Sequence, residues 1–251
     1  MLTQKTALIT GASRGIGQAT AIAMARAGVS RFLLHYSSHR EGADATLTAI
    51  RAHGAEGVLM AADLTKPEGI DALLAQVRPH VREIEILVNN AGSLLQRARL
   101  TEFTPELYDR VMNLNVKSMW FLSQAVAEAM VARGSGIIVN VSSIAARNGG
   151  GSGATIYAAA KAAVACITKG MARELAPQGI RVNAISPGTV DNDFHARFST
   201  REILDNVIRQ TPQGRLSSNE DMAGVVVFLC SEASANLIGQ TLEINGGMFM
   251  I

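Results

Sequence analysis

With 251 residues, 48% of them hydrophobic and 18% charged, the chain has enough apolar material for a substantial core and too little charge for intrinsic disorder. Its net charge of +2, its 4% of aromatic residues and the lack of a dense Lys/Arg run give no support to nucleic-acid binding. No apolar run is long enough to cross a bilayer and no secretory signal is visible. We therefore expect a soluble cytoplasmic protein that binds no membrane, with Cys166 and Cys230 as free buried thiols.

Short apolar runs alternate with helical patterns along the chain. The predicted strands are 6–10, 31–35, 57–61, 84–88, 136–141, 180–185 and 240–244. The helices predicted between them are 18–26, 41–53, 70–81, 105–133, 154–175 and 219–231. Segment 189–211 has no strand pattern and is predicted to be a partly helical insertion that contacts the substrate. The alternation predicts an α/β fold, one domain over 1–251, with a parallel sheet covered by helices on both faces.

Polar and glycine residues follow the predicted strands at one end. They include the glycine turn 10–17, Asp63, Asn89, Ser143 and Pro187–Gly188. Ligands of parallel α/β sheets bind beyond the carboxyl ends of the strands. We therefore expect one ligand site along this edge of the sheet.

The turn Thr10–Gly17 joins the first strand to the first helix with the spacing Gly-x-x-x-Gly-x-Gly. Glycines allow the backbone to approach a pyrophosphate, and the helix N-terminus attracts the anion. Without a ligand the same turn would be only a tight connection. An acid after the second strand favours NAD, but segment 35–40 has none, and Arg14 with Ser37 and Arg40 offers a site for a 2′-phosphate. This favours NADP(H), with NAD(H) as the alternative, unless the two arginines are ordinary surface charges.

Tyr157 and Lys161 are four residues apart, so on a helix their side chains share one face. A neighbouring ammonium favours the phenolate and helps proton transfer by a phenol whose ordinary pKa is about 10. Such a pair also occurs by chance on many helices, and taken alone it does not establish a catalytic role.

Three motifs in this order carry a family resemblance: Thr10–Gly17, Asn89-Asn90-Ala91-Gly92 and Tyr157-x-x-x-Lys161. With them the chain resembles the short-chain dehydrogenase/reductases, and most of all the 3-oxoacyl-[acyl-carrier-protein] reductases. The resemblance extends from the first strand to Gly246–Gly247. It implies a Rossmann-type, doubly wound fold, a nicotinamide cofactor and a catalytic tetrad.

The tetrad implied by the resemblance is Asn115, Ser143, Tyr157 and Lys161. Tyr157 would donate or accept the proton at the substrate oxygen, and Ser143 would hydrogen-bond that oxygen. Lys161 would hold the nicotinamide ribose and lower the pKa of the tyrosine. Asn115 would support the lysine through a water molecule. These roles suit a reduction that places negative charge on a carbonyl oxygen.

Two of these assignments have competing neighbours, because Ser142 precedes Ser143 and Asn113 lies close to Asn115. Alignment of the motifs selects Ser143 and Asn115. The resemblance also implies cofactor contacts from the glycine turn and the strand ends: Gly11, Ser13, Arg14, Gly15, Ile16, Gly17, Ser37, Asp63, Leu64, Asn89, Ala91, Gly92, Tyr157, Lys161, Pro187, Gly188, Val190 and Asn192. Asp63 is almost equally suited to capping the next helix, and Asn192 stands where family members often have threonine.

The sequence leaves the substrate open. A 3-oxoacyl thioester is the leading hypothesis, and a sugar, polyol or other small ketone is the alternative. Basic residues near the expected substrate site would suit a phosphopantetheine, an acidic sugar or a carboxylate, or form a solvated rim: Arg97, Arg147, His195, Arg197 and Arg201. No metal site is expected at His195, because no partner lies at ligand spacing.

Two further expectations concern partners and catalysis. The resemblance implies a homotetramer, with helices around 107–132 and 157–175 and the apolar tail 248–251 at subunit contacts. A non-catalytic nucleotide-binding regulator is a remote alternative. The presence of both Tyr157 and Lys161 argues against it.

Overall fold

The centre of the fold is a seven-stranded sheet in a computed structural model that describes residues 2–250. Its strand order is β3-β2-β1-β4-β5-β6-β7, and all neighbouring strands are parallel. The strands are β1 Thr6–Ile9, β2 Arg31–Tyr36, β3 Glu56–Ala61, β4 Ile84–Asn89, β5 Gly136–Val141, β6 Ile180–Pro187 and β7 Thr241–Ile244. The predicted α/β class and doubly wound parallel sheet are confirmed.

Helices pack on both faces of the sheet. They are α1 Gly15–Arg26, α2 Arg40–Arg51, α3 Pro67–Val77, α4 Pro105–Met112, α5 Ser118–Arg133, α6 Ala145–Asn148, α7 Thr155–Leu175, α8 Asp193–Phe198, α9 Arg201–Gln210 and α10 Asn219–Cys230. No helix within residues 2–250 combines the length and apolar character needed to cross a membrane.

The two faces of the sheet have separate hydrophobic cores. Successive strand residues point to opposite faces, so Ile9 packs in the core that holds α1 and α10, while Leu8 packs in the core that holds α3, α5 and α7. Leu34 and Leu33 on β2 divide between the same two cores. Strands that are buried on both faces read as continuous apolar runs, which is why the sequence reveals them clearly.

The strand order reverses beside β1, which pairs with β2 on one side and with β4 on the other. The chain leaves β1 into the glycine turn and leaves β4 into Asn90–Gly92. Both segments therefore meet at the point where α/β sheets open a crevice for a ligand.

The predicted helix 105–133 is continuous but not uniform. Between α4 and α5, Asn113–Lys117 forms a π-helical turn, in which the N–H of Ser118 donates to the carbonyl oxygen of Asn113, five residues back. Such turns widen a helix locally and occur often at functional sites. Here the wide turn contains Asn115, one of the candidate catalytic residues.

Two local expectations need correction. The helix α6 is absent from the sequence prediction, and Cys166, predicted to be buried, is exposed on α7. Four residues are too few to show helical periodicity, and the mixed pattern of α7 does not mark its outer face. Cys230 is buried as expected, and both thiols are free. The prediction of a partly helical segment 189–211 agrees with α8 and α9.

Candidate active site

A cleft of about 640 Å³ lies at the carboxyl edge of the sheet. It is bounded by the glycine turn, the segments after β4, β5 and β6, the first turns of α7, and the helices α8 and α9. Most of the predicted site residues line it: Gly11, Ser13, Arg14, Gly15, Ile16, Ser37, Asp63, Leu64, Ala91, Gly92, Ser143, Tyr157, Lys161, Pro187, Gly188, Val190 and Asn192.

Asn89 does not line this cleft. Its amide nitrogen donates to Ser123 Oγ at 3.0 Å and to Asn140 Oδ1 at 2.9 Å, and the Asn140 amide donates to Thr168 Oγ1 at 2.9 Å. The four buried side chains link the ends of β4 and β5 to α5 and α7. The structure therefore gives Asn89 a role in holding the sheet edge, and its predicted cofactor contact has no support here.

Gly17 also lies away from the cleft, on the side where α1 packs against the turn. A Cβ there would collide with the carbonyl oxygen of Gly11 and come within 2.6 Å of Asn90 Nδ2. The residue is glycine because the helix and the turn are in close contact. Its importance for the site is thus indirect.

The side chains of Thr10 and Asn90 join the ends of β1 and β4. Asn90 Nδ2 donates to the carbonyl oxygens of Thr10 at 2.8 Å and Gly11 at 3.1 Å. Thr10 Oγ1 accepts the backbone N–H groups of Asn90 at 3.0 Å and Ala91 at 2.9 Å. Both residues belong to the motifs that define the family resemblance, and here they hold the glycine turn against the end of β4.

The N-terminus of α1 faces the cleft and is not capped by the protein. Its N-cap residue, Arg14, makes no side-chain capping bond, and no acidic residue lies in the first turn. Gly11 and Gly15 have φ of +66° and +57°, which glycine adopts without strain. Free N–H groups at a helix N-terminus bind phosphate. This turn therefore fits the pyrophosphate of a dinucleotide.

Two arginines proposed for the 2′-phosphate are engaged elsewhere in this structure. Arg14 pairs with Asp193 of α8 at 3.1 Å, and Arg40 pairs with Asp44 at 2.8 Å. Both pairs are exposed, and exposed pairs are worth little. Arg14 lines the cleft with Ser37, whereas Arg40 does not. The geometry favours Arg14 over Arg40 as a phosphate ligand.

Asp63 forms a local turn rather than a helix cap. Its carboxylate accepts the N–H of Thr65 at 3.0 Å and the Thr65 hydroxyl at 2.7 Å, while Lys66 is the N-cap residue of α3. Although burial works against it, these bonds hold the pKa of Asp63 below its usual range. The carboxylate is exposed at the cleft edge, beside the buried Leu64.

Tyr157 and Lys161 lie together on α7, and the lysine Nζ is 5.7 Å from the centre of the phenol ring. Burial raises the pKa of Tyr157 to about 12, and the neighbouring Ser143 hydroxyl only partly opposes this rise. Burial also lowers the pKa of Lys161 to about 8. The expected lowering of the tyrosine pKa is thus absent from this structure, because burial dominates. Lys161 Nζ donates to the carbonyl oxygen of Val141 at 2.9 Å.

The two adjacent serines have different surroundings. Ser142 Oγ is buried and donates to the carbonyl oxygen of Lys161 at 2.8 Å. Ser143 Oγ accepts the N–H of Ala145 at 3.1 Å and faces Tyr157. The Ser143 hydroxyl is thus the one that lies beside the phenol, so the geometry favours Ser143 over Ser142.

Asn115 lies behind the cleft and close to Lys161. Its amide donates to the carbonyl oxygens of Ser93 and Val111, each at 2.8 Å. Gly92 separates it from the lysine, since a Cβ at Gly92 would lie 2.6 Å from Lys161 Nζ and 2.8 Å from Asn115 Oδ1. The competing Asn113 instead donates to Thr65 O at 3.2 Å.

The helices α8 and α9 cover the substrate side of the cleft. Arg97 connects α8 to the loop before α7, because its Nε donates to Phe198 O and its Nη1 to Ser152 O, both at 2.8 Å. The ring of Phe194 lies 5.8 Å from the ring of Tyr157. Asn192 caps α8 by accepting the N–H of Phe194 at 3.1 Å, and its amide donates to Asn219 at 3.0 Å.

Comparison with known proteins identifies the family. A family model described as "Enoyl-(Acyl carrier protein) reductase" matches residues 11–249. The 3-oxoacyl-[acyl-carrier-protein] reductase of Pseudomonas aeruginosa is 37% identical over 248 residues, which cover 98% of each chain. The chain belongs to the short-chain dehydrogenase/reductase family. It is therefore an oxidoreductase of the NAD(P)-dependent class, as the sequence predicts.

Solved structures of the family share its fold over nearly the whole length. A gluconate 5-dehydrogenase from Burkholderia cenocepacia, in complex with NADP and tartrate, is 33% identical with a TM-score of 0.88, over 98% of this chain and 96% of the other. A 7α-hydroxysteroid dehydrogenase, complexed with NADH and 7-oxo glycochenodeoxycholic acid, is 34% identical with a TM-score of 0.90. The match covers 98% of this chain and 94% of the other. The two structures hold different dinucleotides and different small molecules.

Proposed function

We propose that this short-chain dehydrogenase/reductase uses NADPH to reduce a carbonyl group, foremost that of a 3-oxoacyl thioester, to a secondary alcohol. The observation that carries the proposal is the juxtaposition of the Ser143 and Tyr157 hydroxyls, beside Lys161, in the cleft that also holds the glycine turn. The dinucleotide, when bound, supplies the hydride. Relatives named 3-oxoacyl-[acyl-carrier-protein] reductase support the choice of substrate.

Protein groups supply the proton and stabilise the oxygen. Negative charge grows on the carbonyl oxygen during reduction, and the hydroxyls of Ser143 and Tyr157 are donors able to receive it. A phenol with a pKa of about 12 is protonated at neutral pH and so can donate a hydrogen bond and then a proton. Lys161, with a pKa lowered to about 8, is largely charged at neutral pH and stabilises the phenolate left behind.

The preference for NADPH rests on the end of β2. The residues there that line the cleft are His35, Ser37, Ser38 and His39, and none of them is an acid that would hold a ribose 2′-hydroxyl. Separate titrations with NADPH and NADH test the preference. We expect NADPH to bind at least about tenfold more tightly, as one added charge-assisted hydrogen bond allows. Arg14→Ala should weaken NADPH binding and leave NADH binding nearly unchanged.

A second candidate substrate is a keto acid such as a keto-sugar acid. The guanidinium groups of Arg97 and Arg197 border the cleft, and the acidic residues in its described lining are only Asp63 and Asp193, of which Asp193 pairs with Arg14. This positive rim attracts a carboxylate. The gluconate dehydrogenase among the structural relatives agrees with such a substrate.

A substrate panel separates the candidates. NADPH oxidation is followed by absorbance with acetoacetyl thioester, crotonyl thioester, a keto-sugar acid and the corresponding neutral keto sugar. Turnover of acetoacetyl thioester but not of crotonyl thioester would support carbonyl rather than enoyl reduction. If the sugar acid alone is reduced, and Arg197→Gln lowers its kcat/KM about tenfold, the second candidate replaces the first. Tyr157→Phe is the inactive control.

We also propose a cytoplasmic homotetramer. Trp120 and Phe121 on α5 are 42% and 38% exposed in the single chain, and with Met112, Val116 and Ile167 they surround a shallow apolar depression. Met250 in the tail is 75% exposed, and the prediction for Ile251 lies outside the described residues. An apolar surface of this kind suits a subunit contact. Light scattering of the wild type and of Trp120→Glu tests it, because the variant should form smaller assemblies.

A further inference from the structure

His35, near the end of β2, connects the glycine turn to the neighbouring strand. Its Nδ1 lies 3.1 Å from the backbone nitrogen of Gly11, and its Nε2 lies 3.0 Å from the carbonyl oxygen of Ala62, just after β3. The side chain is only 2% exposed, yet the imidazole reaches the floor of the cleft. The proton transfer proposed for Tyr157 does not involve His35.

The two contacts permit one tautomer of the neutral ring. The Gly11 N–H is a donor, so Nδ1 must accept and carry no hydrogen. The Ala62 carbonyl is an acceptor, so Nε2 must carry the hydrogen. Protonation of Nδ1 would place its N–H against the N–H of Gly11, so that two donors would face each other. Burial lowers the pKa of His35 to about 4, which keeps the ring neutral.

The bond from Gly11 to His35 adds to other hydrogen bonds that hold the backbone of the glycine turn. The carbonyl oxygens of Thr10 and Gly11 are held by Asn90, and the carbonyl oxygen of Ala12 is held by Thr46 at 2.8 Å. The imidazole is the partner of the Gly11 N–H, which would be unsatisfied without it. His35 therefore fixes the direction of the peptide that enters the turn, and so of the N–H groups beyond it.

We propose that His35 is a positioning residue for the dinucleotide: by linking the N–H of Gly11 to the carbonyl oxygen of Ala62, it sets the backbone of the phosphate-binding turn. The inference rests on the proposed function for the identity of the ligand. It assigns His35 no contact with the reacting atoms. Its loss should therefore act on dinucleotide affinity more than on the chemical step.

Three variants test the proposal. His35→Leu removes both hydrogen bonds at similar volume, and His35→Asn keeps an acceptor near the position of Nδ1. Leu33→Val removes a buried methylene from the same strand without touching the turn. Titration followed by NADPH fluorescence should give a dissociation constant raised about tenfold or more for His35→Leu, less for His35→Asn and unchanged for Leu33→Val. At saturating NADPH, kcat should change much less than KM for NADPH.

A second measurement does not depend on the ligand. Long-range ¹H–¹⁵N correlation spectra of ¹⁵N-histidine protein distinguish the two neutral tautomers, and the signal missing in His35→Leu identifies the residue. We expect hydrogen on Nε2. The opposite tautomer, or a folded His35→Leu that binds NADPH as tightly as the wild type, would overturn the proposal. A wild-type chain that binds neither NADPH nor NADH would instead contradict the proposed function itself.

Discussion

At the phenol of Tyr157, burial and a neighbouring hydroxyl shift the pKa in opposite directions. The neighbouring Ser143 hydroxyl lowers the tyrosine pKa, but burial dominates and raises it to about 12. A protonated phenol suits reduction, in which the tyrosine gives its proton away. The pairing of Tyr157 with Lys161 on one helix face could be predicted from their spacing. The direction of the pKa shift could not, because it depends on how deeply the fold buries the ring.

Tyr157→Phe removes the proton donor and preserves the ring. We expect turnover to fall by about 10²–10⁴-fold, the usual contribution of a general acid, while NADPH affinity changes less than about twofold. Steady-state kinetics and fluorescence titration measure the two effects. Tyr108→Phe, at a tyrosine that is 45% exposed on α4, is the matched control and should retain full activity. Full activity of Tyr157→Phe would remove this residue from the mechanism.

Gly92→Ala tests the close packing of Lys161 and Asn115 around Gly92. The added Cβ would lie within 2.8 Å of both side chains, so at least one of them must move. We expect kcat to fall about tenfold or more, since small misplacements of catalytic groups are costly. In Gly170→Ala, on α7, the new Cβ meets no atom within 4 Å. This control should keep its activity and gain up to about 1 kcal/mol of stability from helix propensity.

At the scale of single elements, the π-helical turn 113–117 and the cover formed by α8 and α9 shape the cleft. A helical pattern over 105–133 is visible in the sequence, but one wide turn leaves no signature in hydrophobic periodicity. The positions of α8 and α9 follow from contacts distant in sequence. One example is the bond from Arg97 to Phe198, which are 101 residues apart.

Arg97→Ala should loosen this cover. Loss of the bonds to Phe198 O and Ser152 O frees α8 from the loop before α7. Hydrogen–deuterium exchange of peptides within 193–210 should increase, while exchange in β4 and β5 stays unchanged. The control is Arg99→Ala, since the exposed side chain of Arg99 makes no hydrogen bond or ion pair with the described residues. Equal exchange in both variants would show that Arg97 does not hold the cover.

At the scale of the whole molecule, the buried His35 and the half-buried His195 link stability to pH. Burial lowers the pKa of His35 and of His195 to about 4, below the ordinary value of 6.5. The unfolded chain then binds more protons than the folded chain between these values, so the free energy of unfolding falls as pH falls from about 6.5 to about 4. The loss is up to about 3 kcal/mol for each histidine.

Urea unfolding at several pH values between 7.5 and 4.5 measures this loss. In His35→Leu the slope of the unfolding free energy with pH should be smaller, because one histidine no longer contributes. A histidine whose pKa is the same in the folded and unfolded states contributes nothing to the slope of the unfolding free energy with pH. An unchanged slope in the variant would show that His35 titrates normally in the folded protein.

The sequence by itself determined the order of strands and helices, the parallel sheet and the edge at which a ligand binds. Buried parallel strands are continuous apolar runs, and glycines, Pro187 and polar residues mark their carboxyl ends. The family motifs also indicate the candidates for proton transfer, Tyr157 and Lys161, without any knowledge of their contacts.

Only the tertiary structure decided which of two adjacent side chains faces the cleft. Ser142 bonds the backbone of α7 while Ser143 faces Tyr157, and Asn89 is buried while Asn90 holds the glycine turn. Neighbouring strand residues point to opposite sides, and which side opens on the ligand depends on how strands and helices assemble. The same holds for His35, whose proposed role comes from one partner in the glycine turn and one just after β3.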